Sequence, residues 1–207
     1  MREYCKHNSI DLLPSDIIEL FVLWLSFCDR FVPDLSDDNI EILGAECQQV
    51  KVRAGGGHYC ATAVCKDIVK KGEKQSWKFQ VVDKEVILGI MEDKVAVERA
   101  GKIRDFSSSK GGYGLFLSDM RKYLDDYNAR VFEYAQQFEV KENDIITMEL
   151  DLTKDKGVLT FTFHSKEKPQ ITDNIFYDQF EVNKNWRAAV VCTDQEPSLQ
   201  NIVSLIP

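Results

Sequence analysis

The sequence predicts an all-β, antiparallel domain, a sandwich or a barrel, behind a short N-terminal α-helix. Three observations predict it. Residues 143–164 read NDIITMELDLTKDKGVLTFTFH, with Ile146, Met148, Leu150 and Leu152 on one face and Thr147, Glu149, Asp151 and Thr153 on the other. The second arm repeats the pattern, Leu159, Phe161 and Phe163 against Thr160, Thr162 and His164, the period of two that a half-buried strand requires. From Ile40 onward, short apolar runs alternate with turn signals about every ten residues, as in an all-β sandwich or barrel. Finally, each hairpin arm buries one apolar row, so a second sheet must cover it. The link Thr153–Gly157 is polar and ends in a glycine able to take positive φ, which suits a hairpin turn.

Taken in order, residues 1–30 form a helical extension, 31–39 an acidic linker and 40–207 the β domain. Pro14-Ser15-Asp16 is a helix start, with Ser15 as N-cap and Asp16 favourable at the positive helix end. The run IIELFVLWLSFCD that follows is apolar almost all round, so a helix here must be buried on most of its circumference. It is too short, and at Asp16 and Glu19 too charged, for a membrane span, which needs about 20 apolar residues. Proline and aspartates set Phe31–Asn39 apart as a linker. Strands are predicted at Ile40–Leu43, Gln48–Arg53, Tyr59–Val64, Ser76–Val82, Glu85–Met91, Tyr113–Leu117, Ile145–Leu152, Val158–Phe163, Trp186–Cys192 and Asn201–Ile206. Gly55-Gly56-Gly57 and Gly111-Gly112 mark tight loops. Met120, Leu124, Tyr127, Val131, Tyr134 and Phe138 recur at helical spacing, yet Asp125-Asp126 and Asn128 oppose a helix and Arg130–Tyr134 also reads as a short strand.

A chain of 207 residues with 44% hydrophobic content can fill a single core. The net charge of −8 argues against non-specific nucleic-acid binding, which needs a basic face. The six cysteines are irregularly spaced, and a chain of this length needs no disulfide staple. The opening MREYCKHNSIDLL lacks the apolar run of a signal peptide. The expectation is a reducing, cytoplasmic setting with free buried thiols.

Candidate chemistry is sparse. His58, Cys60 and Cys65 form a His-x-Cys-x4-Cys cluster, but a structural zinc site prefers four ligands, and the odd separation points the two cysteines to opposite strand faces. The expectation is no metal and no cofactor. No Gly-x-Ser-x-Gly, P-loop or Gly-x-Gly-x-x-Gly motif occurs. Glu149 and Asp151 share a strand face as a glycosidase pair could, although alternating charges normally mark a strand's wet side. No catalytic residue is assigned and the chain is expected not to be an enzyme.

The order of motifs is informative. Trp77-Lys78-Phe79-Gln80-Val81 precedes Ile87-Leu88-Gly89-Ile90-Met91, then Tyr113-Gly114-Leu115, then 138–146 (FEVKENDII). Leu150-Asp151 with Gly157-Val158-Leu159-Thr160-Phe161 follows, then Trp186-Arg187-Ala188-Ala189-Val190 and a terminal Ile202-Val203-Ser204-Leu205-Ile206. This series, covering about Gly44 to Pro207, resembles a SPRY domain. The resemblance implies a bent, concanavalin-like jelly-roll β-sandwich whose loops bind short segments of partner proteins. Arg187-Ala188 stands where the family has an aromatic-proline pair, and His164-Ser165-Lys166 replaces its Asn-Gly turn. In a SPRY-like arrangement the loops after Leu88–Met91, around Tyr113 and after Val190–Cys192 would meet the Gly55–Tyr59 loop at one end. That end would present Tyr59, Asp93, Arg104, Phe106, Tyr113, Tyr127, Asp194 and Gln195 to another protein, with the chain a monomer. LLPSDIIELFVLWL is similar to an F-box start, which implies as an alternative a ubiquitin-ligase adaptor docking through this helix; otherwise the helix caps the sandwich. A lectin-like or hydrolytic jelly roll is a further alternative, since fold does not dictate function.

Overall fold

The computed structural model describes residues 30–44, 48–52, 60–81, 85–100, 111–124, 130–131, 140–141, 144–164, 177–193 and 203–206. The predicted N-terminal helix and the Gly55–Gly57 loop lie outside these residues. The described chain forms strands β1 (Ile40–Leu43), β2 (Gln49–Val52), β3 (Cys60–Val64), β4 (Lys74–Val81) and β5 (Val86–Glu92), then helix α1 (Asp93–Glu98). Strands β6 (Gly112–Phe116), β7 (Arg121–Leu124), β8 (Arg130–Val131), β9 (Asp144–Asp151) and β10 (Gly157–His164) follow. The last are β11 (Tyr177–Phe180), β12 (Trp186–Thr193) and β13 (Val203–Ile206).

Two sheets result, both antiparallel in their strand pairings. Sheet one has the order β1-β2-β13-β4-β9-β10-β11, and sheet two the order β3-β12-β5-β6-β7-β8. Their facing sides hold the main core. The β9–β10 hairpin is its centre, and every second residue of both strands is buried. Register extends the alternation sideways into β4, aligning Phe79, Ile146 and Phe163 in one row and Trp77, Met148 and Phe161 in the next. Sheet two answers with Leu88, Ile90, Leu115, Ala188 and Val190, all fully buried. The fold is the antiparallel β-sandwich that the sequence implied.

Some expectations are corrected. Gly157 is not among the positive-φ glycines of the described residues; it is the first residue of β10, buried and paired with Phe180. The hairpin turn is set instead by the Asp151 carboxylate, which accepts the Thr153 amide at 2.9 Å and its hydroxyl at 2.5 Å, an Asx turn. The helical spacing after Met120 does not hold where the structure describes it: Arg121–Leu124 is strand β7, and Arg130–Val131 pairs with it as β8. Pairing between β6 and β8 overrides the helical spacing at β7. Strand β11 and helix α1 carried too little pattern to be read.

The stretch expected to be a linker is packed against β3. Phe31 is buried in the main core and bridges Cys65. Val32 N donates to Val64 O at 2.8 Å and Asp37 N to Thr62 O at 2.8 Å, while the Ser36 hydroxyl accepts the Val64 amide at 3.1 Å. A 3-10 turn at Pro33–Leu35 lets the strap follow the strand. It closes an edge that would otherwise expose unpaired amides and carbonyls.

The two faces of β9 differ in what they contribute. Met148→Ala is expected to destabilise the fold by about 2–5 kcal/mol, the usual cost of emptying a filled core position. Thr147→Ala removes only the half-exposed hydroxyl that lies 3.0 Å from His164 Nε2, and should cost about 1 kcal/mol or less. Urea unfolding of both variants checks this; equal costs would contradict the assigned faces.

Candidate functional site

The antiparallel order of sheet two decides which loops share an end. β12 pairs Trp186 with Glu92 of β5, and Cys192 with Val86. On its other side Thr193 pairs with Cys60 of β3. Strand β6 enters beside Met91, and Leu124 at the close of β7 pairs with Tyr113. One end of the sheet, the Trp186 end, therefore carries Asp93, the two strand ends that bound residues 101–110, Tyr113, and the start of the 125–129 connection. The other, the Cys192 end, carries the approach to Cys60 and the exit from Thr193.

The expectation of a single binding face is thus split. Arg104, Phe106 and Tyr127 lie outside the described residues, but the strands that lead to them end at the Trp186 end. Tyr59, Asp194 and Gln195 also lie outside, and they adjoin Cys60 and Thr193 at the opposite end. The seven residue steps of β12 separate the ends by roughly 23 Å. A strand paired antiparallel with its neighbour runs the opposite way, so β5 and β12 end at opposite ends of the sheet.

The Trp186 end is built on a polar tie. The Arg187 guanidinium donates from Nε to Asp93 Oδ1 and from Nη1 to the carbonyls of Cys65 and Lys66. Asp93 N donates to Asn185 O at 2.8 Å. Lys184 Nζ lies 3.1 Å from Glu92 Oε2 and 3.7 Å from Glu181 Oε2. One guanidinium and one ammonium thus lock the end of β3, the start of α1 and the 181–185 turn together. Asp93, expected as a contact residue, has its carboxylate paired with Arg187 within the chain. Arg187, singled out only as a departure from the family pattern, turns out to be its partner.

Tyr113 is half-buried against the main core, its ring meeting Trp186 edge-on with centroids 5.5 Å apart at 68°. Trp186 Nε1 donates to Glu181 O at 3.2 Å. Gly111 has φ +89°, and a Cβ there would meet Glu92 Cβ and Val95 Cγ2, both at 3.2 Å. With Glu92 N donating to Gly111 O at 2.8 Å, this pins the base of the 101–110 loop. On α1, Ala96 is buried whereas Val97 is 57% exposed, the one exposed large hydrophobic side chain among the described residues. Sequence reasoning missed Val97 because a six-residue helix gives no readable periodicity.

Elsewhere the candidate chemistry is absorbed by structure. Glu149 pairs with Lys74 at 2.8 Å. Hydrogen bonds from the Thr153 side chain and amide hold the Asp151 carboxyl below its ordinary range. Cys60 joins the cluster on the outer face of sheet two and Cys65 the main core, so the two lie on opposite faces. Among the described residues no group of three His, Cys, Asp or Glu is placed to hold a metal ion, and no helix is long and apolar enough to cross a membrane.

No family model and no curated protein searched matches the sequence. Solved structures do match. The TRIM65 PSpry domain aligns with 87% of this chain and 92% of its own, at 17% identity and a TM-score of 0.59. The SPRY domain of human HERC1 aligns with 84% of this chain and 96% of its own, at 13% identity and a TM-score of 0.53. The fold is SPRY-like.

Two outcomes are expected. Arg187→Met leaves the Asp93 carboxylate and two carbonyls without their donor, and should cost about 3 kcal/mol in urea unfolding, towards the lower range for a broken buried pair. A change under about 0.5 kcal/mol, the level of a neutral surface substitution, would contradict the tie. Burial pushes the Cys192 thiol from 9.0 to about 12, so it stays neutral and should resist alkylation in the native protein at pH 8 while reacting fully in urea. Because the folded value is the higher one, this contribution to stability is complete below the ordinary thiol range. It is lost as pH rises towards 12.

Proposed function

We propose that the chain is a non-catalytic protein-interaction module that binds a peptide or loop of a partner protein at the Trp186 end of the sandwich. The observation that carries this reading is the junction there of a pinned loop base with the exposed Val97. The Glu92–Gly111 backbone hydrogen bond fixes where the stretch 93–110 leaves β5 and returns to β6. A preorganised loop loses less entropy on binding, and that saving appears as affinity. The loop contains Arg104 and Phe106, residue types that serve as binding anchors when their partner pocket excludes water. Tyr113 stands edge-on to Trp186 at this end, and Tyr127 belongs to the connection that starts after Leu124. The SPRY-like fold supports a recognition role in general. The partner's segment is expected to be short and partly apolar, matching a surface a few side chains wide.

The competing location is the Cys192 end, with Tyr59, Asp194 and Gln195. The test is affinity capture from the source cell's lysate with three proteins of equal melting temperature: wild type, Val97→Asp combined with Arg104→Ala, and Asp194→Ala combined with Gln195→Ala. A protein held by wild type should be retained by the Asp194/Gln195 variant and weakened at least about tenfold, ~1.4 kcal/mol, by the Val97/Arg104 variant. The reverse pattern would move the site to the other end. No specific capture by wild type would remove the interaction reading.

A further inference from the structure

Three connections far apart in sequence come together beside the Trp186 end, and their lysines form one exposed strip. The chain between β3 and β4 bridges Val69 to Trp186. It then meets the β9–β10 turn, where Gly72 N donates to Leu152 O and Leu152 N to Glu73 O, each at 2.9 Å. The turn after β11 closes the group: Phe180 pairs with Gly157, and Lys71 Nζ donates to Asn183 Oδ1 at 3.2 Å. Residues 66–73, 153–156 and 181–185 therefore share one surface. They hold Lys66, Lys70, Lys71, Lys154, Lys156 and Lys184 against Asp67, Glu73, Asp155 and Glu181, an excess of cations in a chain whose net charge is −8. The two signs are also used differently. Glu73 Oε2 accepts the Lys70 amide at 2.8 Å, and Glu181 Oε2 lies 3.7 Å from Lys184 Nζ. The ammonium groups of Lys66, Lys70 and Lys156 meet no carboxylate among the described residues, and all three residues are exposed.

We propose that this strip binds an acidic stretch of the partner's segment, which sets an apolar residue against Val97 and a run of Asp or Glu over the lysines. The proposal rests on the interaction reading above and adds the chemistry of the partner. Arg187 joins the two parts of the surface: the guanidinium that holds Asp93 at the start of α1 also binds the Lys66 carbonyl, so the strip begins where the helix begins. The sequence 101–110 between α1 and β6 adds Lys102, Arg104 and Lys110 against Asp105. A lysine ammonium is a compact charge on a flexible stem, so a row of them follows a carboxylate run without requiring one fixed geometry. Opposite charge also speeds encounter and rejects basic competitors. A short acidic peptide can stay on the strip. A long polyanion such as a nucleic acid would extend from it onto the remainder of the chain, where carboxylates are in excess.

The test measures binding of short fluorescent peptide pools, each with a central leucine or isoleucine and with flanks of Asp/Glu, Ser/Gln or Lys/Arg. Wild type is set beside the triple variant Lys66→Glu, Lys70→Glu, Lys156→Glu and beside the same three positions changed to Arg. The Asp/Glu pool should bind wild type and the Arg variant at least about tenfold more tightly than the Ser/Gln pool, and should lose that advantage in the Glu variant. Its binding to wild type should also weaken at least about tenfold between about 0.1 M and about 1 M salt, where the Debye length falls from about 10 Å to about 3 Å. Equal or tighter binding of the Ser/Gln or Lys/Arg pool, or an acidic preference that survives the Glu variant or high salt, would overturn this inference and leave the interaction reading standing. A single-stranded DNA oligonucleotide or phosphatidylserine vesicles bound more tightly than the acidic pool would overturn it in favour of another polyanion. Binding of no pool would remove the interaction reading, and this inference with it.

Discussion

Everything in this molecule depends on two apolar sheet faces being buried against each other. Strand side chains alternate, so one residue of register error would carry Met148, Phe161 and Trp77 to the solvent side together. The core rows running through β4, β9 and β10 therefore act as one unit, and β13 can enter sheet one only where its pairing continues them. Hydrogen bonding within each sheet satisfies the backbone, which permits an interior of side chains with almost no exposure. The strap at Arg30–Asp37 belongs to the same constraint. It binds the open side of β3 and sends Phe31 into the interior, so the edge of sheet two is closed by chain that is also core.

The ends of a sandwich are where such packing stops and polar groups must be satisfied individually. Arg187 does this at the Trp186 end. Its fork reaches a carboxylate and two carbonyls, joining segments far apart in sequence. A mostly buried ion pair of this kind adds little net stability compared with a well-packed apolar substitute, but it demands one geometry. That geometry holds the start of α1 next to the Glu92–Gly111 backbone hydrogen bond that continues the β5–β6 pairing.

The strands were legible wherever a strand buries one face. Ile40–Leu43 is found with its predicted limits, and the other nine predicted strands are found within a few residues. Strands β7 and β11 were not legible. RKYL and YDQF are four residues each, lie near or at a sheet edge and carry no sustained alternation. The strap was misread because proline and aspartates look like a linker. Its aspartates serve turns, Asp37 accepting from both nitrogens of Asn39, while one aromatic residue anchors it. Gly157 suggested a left-handed turn, yet an aspartate two residues before the turn supplied the constraint.

What the sequence alone determined is the period-two pattern, and with it an all-β antiparallel sandwich, its central hairpin and its buried residues. Alternation is a local property, written in neighbouring residues, and burial of one face follows from it directly. What only the tertiary structure decided is which loops are neighbours. Strand order and direction place the exits of β5 and β12 at opposite ends of one sheet, a relation that spans about a hundred residues and leaves no local signature. The same holds for Asp93 and Arg187. Each is an unremarkable charged residue in its own segment, and they become a pair only when two antiparallel strands bring them together.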